Sequence, residues 1–250
     1  MQESKIRFTV ELADIPIEII CRYPKNKAFF REYLSDKKPV AFCEPSAEDL
    51  SILRKTFFWF EKHEGRVPRE PDNAYIENVT LNWLLCELLV SHDVLQLHGS
   101  ALCMDGEAYI FIAPSGTGKS THARLWREVY RERVKMINDD KPLLRIKDNG
   151  IMVYGSPWDG KHRLSSNMSA PLKALVVLNR GTENRIVRIS SQDAFPVIFR
   201  QAHTSPNSVQ CHKIMKMEDI LLKGAPCYRM SCNMEQNAAK TAWAGINNCR

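Results

Sequence analysis

The sequence predicts an α/β protein built on a mixed α+β sheet, and three observations lead there. Short runs of β-formers alternate with turn residues through the middle of the chain, apolar residues at helical spacing bracket them, and one strand runs into a glycine-containing loop that opens a helix. Of 250 residues, 44% are hydrophobic and 26% charged. That is too apolar for a disordered chain and long enough for one large core or two small ones.

Taken in order, residues 6–22 predict two short strands around Asp14, because Ile6, Phe8 and Val10 and then Ile15, Ile17 and Ile19 alternate. Residues 46–62 predict a helix, with Leu50, Ile52, Leu53, Phe57 and Phe60 spaced three and four apart. Gly65, Pro68 and Pro71 mark residues 63–73 as a linker, and residues 81–91 predict a second apolar helix. One strand is expected over 93–103, a two-residue hairpin turn at Asp105-Gly106, and a second strand over 107–113. A helix containing Leu125 and Val129 follows, then strands at 134–138, 143–146 and 151–154, the last two around Asp148-Asn149-Gly150. Residues 172–178 form the most apolar strand. Helices near 193–201 and 208–223, a strand at 228–232 and a helix from about 235 complete the chain. The change of character near residue 92 divides an N-terminal α/β region, 1–92, from a strand-rich core, 93–250.

Several function classes fall away. Apolar runs such as 110–113 and 174–178 are too short to cross a bilayer, and the N-terminus, with Glu3, Lys5 and Arg7, has no apolar signal region. No membrane and a cytoplasmic location are the expectations. The net charge of +6 is spread along the chain, and its densest stretch, 124–135, alternates Arg with Glu, as a solvated helix face does; no nucleic acid is expected as partner. The eight cysteines include no C-x-x-C pair and read as reduced thiols, and Cys211-His212 is too small a set for zinc.

The sharpest feature is Ala113-Pro114-Ser115-Gly116-Thr117-Gly118-Lys119-Ser120-Thr121, after the β-formers Tyr109–Ile112 and before a helix. A polyphosphate needs inward backbone N–H groups, a helix N-terminus, a Lys for the β- and γ-phosphates and a hydroxyl for Mg²⁺. Gly116 and Gly118 allow close backbone approach, Lys119 supplies the charge and Ser120 the hydroxyl, with Pro114, Ser115, Thr117 and Thr121 completing the cradle. Ala113 stands where the usual pattern begins with glycine. Eighteen to twenty residues after Ser120 come Asn138, Asp139 and Asp140, at the end of an apolar strand. Adjacent carboxylates on an extended chain point to opposite faces, so one is expected to serve metal or hydrogen-bonding duty and the other to face an acceptor hydroxyl. His98 lies on the strand one hairpin upstream. The run 154–163 adds Asp159 as a candidate metal ligand and Lys161 and Arg163 as candidate stabilisers of transferring charge.

Together these clusters resemble the HPr kinase/phosphorylase family, and more closely the uncharacterised HPr-kinase-related proteins that share its phosphoenolpyruvate-carboxykinase-like P-loop core. The matching segments are Leu97-His98-Gly99-Ser100, the strand–loop–helix of 110–125, Ile137-Asn138-Asp139-Asp140, 155–160 and 169–177, covering roughly residues 92–180. The resemblance implies an ATP- and Mg²⁺-dependent kinase, with Lys119 on phosphate, Ser120 on the metal, Asp140 as the acid that takes the acceptor's proton, and His98 in the active site. Asp140 and Asp159 are the further metal candidates. It also implies a homo-oligomer. Asp159-Gly160 departs from the family's Glu-x-Arg-Gly context, the signature used for dephosphorylation and HPr docking is missing, and the first 90 residues are unlike the family's N-terminal domain. HPr is therefore not expected as substrate; the expected partners are a nucleoside triphosphate and a serine-type hydroxyl on a peptide, protein or small molecule. The alternatives are a nucleotide-binding regulator that no longer transfers phosphate, and a carboxykinase proper, for which 250 residues is about half the usual size.

Overall fold

The computed structural model describes residues 5–63, 65, 67 and 69–248, which form a mixed α/β structure in two compact units, Met1–His92 and Asp93–Arg250. Glu3, Pro68 and Cys249, which entered the sequence reading, lie outside the described residues.

In the first unit, β1 (Ile6–Leu12) and β2 (Ile15–Cys21) form an antiparallel hairpin. Its turn residues, Ala13 and Asp14, both adopt positive φ. The inward residues of the alternation, Val10, Leu12, Ile17 and Ile19, are fully buried, as are Phe30 and Leu81 of the same unit. Three elements here were not anticipated or differ in extent. A short helix α1 (Pro24–Phe29) and a three-residue strand β3 (Ala41–Cys43), parallel to β2, are too short for any periodicity to show. After α2 (Ala47–His63), α3 (Asn73–Val90) starts eight residues earlier than the apolar run suggested, because Asp72 caps it by accepting from the Ala74 N–H at 3.1 Å. Glu77, fully buried on α3, accepts from the Arg22 and Tyr23 N–H groups and from Asn26 Nδ2, which ties α1 to α3. The predicted apolar face of α2 is a correction: no residue of this helix is buried, and Ile52, Trp59 and Phe60 are about half exposed.

In the second unit, β5 (Ser100–Met104) and β6 (Glu107–Ile112) pair across Asp105-Gly106, and positive φ at both turn residues matches the right-handed strand twist. Helix α4 (Lys119–Tyr130) follows the loop, then β7 (Val134–Asn138), β8 (Leu143–Lys147) and β9 (Gly150–Tyr154). The long β10 (Ser169–Arg180), an unanticipated β11 (Arg185–Ile189), α5 (Ser191–Gln201), α6 (Ser208–Gly224), β12 (Cys227–Cys232) and α7 (Asn237–Asn247) complete it. The predicted strand over 93–103 is broken in two. Residues 94–96 pair as β4 with β8, and Leu97–Gly99 leave the ladder, with His98 N–H bonded to the Gln201 carbonyl and Gly99 N–H to that of Asp140.

The sheet runs β4-β8-β9-β10-β6-β5-β7, with β12 on the other side of β10 and β11 beyond it. β10 is parallel to β6 and β12 and antiparallel to β9, which makes the sheet mixed. Strands buried on both faces carry continuous apolar runs, as Ala108–Ile112 and Ala174–Leu178 do. Trp126 on α4 is fully buried against Tyr109 and Phe111, ring centroids 5.1 and 5.6 Å away, and fixes the helix on the sheet. Arg124 and Glu128 pair on the solvent side of α4, as the alternating charges suggested. The seven described cysteines are free, and burial pushes the Cys43 thiol up to about 12. Among the described residues no helix is long and apolar enough to cross a membrane.

Candidate functional site

The site begins at the end of β6, whose buried apolar residues place Ala113 inside and turn the chain outward at Pro114. Gly116 and Gly118 have φ of 76° and 120°, conformations that cost an L-residue steric strain. Gly118 is the N-cap of α4 and has no side chain with which to satisfy the first turn, so those N–H groups stay available to an anion. Lys119, only 7% exposed, donates from Nζ to the Ala113 carbonyl at 2.9 Å and the Pro114 carbonyl at 3.5 Å. Burial lowers its pKa, against the pull of Asp140 and Asp139. An ammonium held only by loop carbonyls is poised to exchange them for phosphate oxygens.

Across from the loop, Asn138 ends β7 and shapes the acidic turn. Its Nδ2 donates to the Ser156 carbonyl and Oγ, while its Oδ1 accepts from the N–H groups of Asp140 and Lys141 at 2.8 and 2.6 Å. That Asx turn separates the two carboxylates. Asp139 is buried and accepts from Ser100 Oγ at 2.7 Å and from the Ser120 hydroxyl. Burial raises its pKa, and those two hydroxyls with the charges of His162 and Arg127 oppose the rise. Asp140 is partly exposed, with Oδ1 3.3 Å from His98 Nε2 and Oδ2 accepting from Lys141 Nζ at 2.8 Å. Burial, then the charge of Lys119, lowers the His98 pKa, so the imidazole is neutral near pH 7.

These groups converge. His98, Lys119, Ser120, Asp139 and Asp140 line one cavity of about 540 Å³ together with Ser115, Gly116, Gly118 and Thr121 of the loop. Gly160 and Lys161 line it as well. Gly160 has φ of 73°, and a Cβ there would lie 3.3 Å from the Asp140 Cβ, so only glycine lets this loop rest on the acid without strain. Four sequence candidates lie elsewhere. Pro114 and Thr117 are in the loop but off this cavity. Asp159 is buried and off the cavity's lining, with Oδ2 accepting from Ser165 Oγ at 3.0 Å and Oδ1 lying 3.4 Å from Arg163 Nε but without a hydrogen-bond partner among the described residues. The acid beside Ser120 is Asp139, with Asp140 turned to His98. Ser100, Asn138, Lys141 and His162 were given no role from the sequence. Asn138 alone had a readable signal, an Asn two residues before a turn.

The donor set suits Mg²⁺. A hydroxyl and a carboxylate meet at Ser120 and Asp139, hard oxygens of the kind that hold Mg²⁺ together with substrate phosphates. Among the described residues there is no group of three or more His, Cys, Asp or Glu that could hold a metal.

No protein-family model matches the chain, and no curated protein does. Among solved structures, it is similar to the Hpr(Ser) kinase/phosphatase from Coxiella burnetii, at a TM-score of 0.36 and 10% identity over 61% of this chain and 88% of that one.

Proposed function

We propose that this protein is an ATP- and Mg²⁺-dependent kinase with a phosphoenolpyruvate-carboxykinase-like P-loop core, transferring the γ-phosphate to a serine-type hydroxyl of a peptide, protein or small molecule. The observation that carries it is one cavity holding a phosphate-binding loop, a metal-type hydroxyl–carboxylate pair and a second carboxylate flanked by histidine.

Lys119 and the α4 N-terminus hold the phosphates, and Ser120 with Asp139 would hold Mg²⁺, which when bound neutralises charge on the β- and γ-oxygens. Asp140 takes the proton of the acceptor hydroxyl as its oxygen bonds to the γ-phosphorus and the bond to the β–γ bridging oxygen breaks, releasing ADP. Neutral His98 orients the Asp140 carboxylate without neutralising it, and Lys161 sits at the rim where transferring charge can be met. The expected partners remain a nucleoside triphosphate and the acceptor, in the cytoplasm, with a homo-oligomer as the working assembly.

An acceptor screen with γ-labelled ATP, run on the parent and on Lys119→Ala, tests this. Label transferred to a hydroxyl compound or peptide by the parent alone supports the kinase. Tight ATP binding with no transfer to any acceptor or to water sinks it in favour of a nucleotide-binding regulator.

A further inference from the structure

A second cavity, of about 560 Å³, meets the first at Gly116, Gly118 and Thr121 of the phosphate loop. Its walls have a different chemistry. Where the first presents two aspartates, this one presents Thr117, Thr182, Cys232 and Met234, and its cation is Arg180. Arg180 donates from Nη2 to the Gly116 carbonyl at 2.5 Å and from Nε to that of Thr117 at 3.5 Å, so it fixes the loop from this side.

His122 lines the same cavity and is 2% exposed. Trp126 Nε1, which can only donate, bonds to His122 Nε2 at 3.1 Å. Burial holds the pKa of this imidazole down to about 4, so the ring is neutral and its proton sits on Nδ1. That Nδ1 has no hydrogen-bond partner among the described residues. That nitrogen is itself buried, and the ring packs edge to face on Phe111 with centroids 4.7 Å apart, so His122 is part of the cavity's wall.

We propose that this second cavity takes the ribose and base of the nucleoside triphosphate, with Met234 covering the base. The inference rests on the kinase reading above. A triphosphate lying along the loop with its γ end toward Asp139 and Asp140 has its α end at the shared glycines, where this cavity opens. Met234, 79% exposed, has no packing duty in the fold and offers a flexible apolar surface to a flat ring.

The test compares ATP with inorganic tripolyphosphate by calorimetry in the presence of Mg²⁺, on the parent, Thr182→Trp and Met234→Ala. Both positions are exposed, and tripolyphosphate binding reports whether the loop is intact. The parent should bind ATP at least tenfold more tightly than tripolyphosphate. Thr182→Trp, which adds bulk without charge, should change ATP affinity at least fivefold, and Met234→Ala should weaken it two- to fivefold, with tripolyphosphate within twofold in both. Unchanged ATP affinity in the variants, or equal changes for both ligands, overturns the nucleoside site and leaves the kinase reading standing. A parent that binds neither ligand overturns both.

Discussion

Two of the buried acids of the second unit, Asp139 beside the loop and Glu218 on α6, are built into it in opposite ways. Asp139 is surrounded by hydroxyl donors and lies near two cations, so its burial is compensated and its orientation fixed. Glu218 is 1% exposed, neither of its oxygens has a hydrogen-bond partner among the described residues, and burial alone pushes its pKa up to about 7. The difference teaches that a perturbed carboxyl is a candidate for chemistry only where neighbours give it a task. Partners and a cavity mark the first as a site, and their lack marks the second as a pH-dependent weakness.

The contrast can be broken in four places. Asp140→Asn should cut the transfer rate by about 10²–10⁴ while leaving ATP affinity within about threefold, the usual range for losing a general base. Single-turnover transfer and equilibrium binding on the same sample check it, and a parallel loss of binding would mean that Asp140 holds the nucleotide. Glu218→Gln acts on stability. The folded-state pKa lies above the ordinary 4.5, so the folded protein binds the extra proton, and stability falls as pH rises from about 4.5 to about 7. The variant should lack that fall and be more stable at pH 8 by up to about 3 kcal/mol, the free-energy equivalent of the shift. Urea unfolding at pH 5 and pH 8 reads the difference, and an unchanged pH slope would show that Glu218 does not titrate as described.

Two smaller effects sharpen the same picture. Ser100→Ala removes one donor from Asp139, which should raise that carboxyl further and weaken Mg²⁺ dependence by about 5- to 10-fold, a loss of about 1 kcal/mol. A Mg²⁺ titration of activity shows it, with ATP affinity in the absence of metal unaffected. Gly160→Ala places a side chain on a left-handed residue pressed against Asp140 and should cost about 1–2 kcal/mol of stability. Thermal unfolding measures that cost, and a neutral result would mean the loop readily shifts away from the acid.

Local chemistry was legible in the sequence. The glycine-containing loop between β6 and α4, the Asp105-Gly106 turn and the apolar strand within β10 are written by residues adjacent in the chain, and each stands where it was expected. What escaped depends on distant partners. The break at Leu97–Gly99 follows from bonds to Gln201 and Asp140, and a Gly99 Cβ would meet the Phe111 carbonyl at 3.0 Å. β3 and β11 are set by pairing with β2 and β12. In the site, the two aspartates face different partners, as adjacent carboxylates on an extended chain were expected to. Which one stands beside Ser120 is decided by the Asn138 turn and by Ser100 on a neighbouring strand.

The irregularity in β10 deserves a final consequence. Against β6, Leu172 aligns with Ala108 and Ala174 with Tyr109, so Lys173 is one residue more than the ladder needs. Because side chains alternate along a strand, that single insertion resets the phase of everything after it. Upstream, residues 169–171 keep step with β9; downstream, Arg180 arrives on the side from which its guanidinium reaches the Gly116 carbonyl. Deleting Lys173 would make Leu172 and Ala174 direct neighbours opposite Ala108 and Tyr109, so the ladder would become regular with every following side chain on its present face, and the Arg180 clasp on the loop should survive the loss of a residue from the strand that carries it.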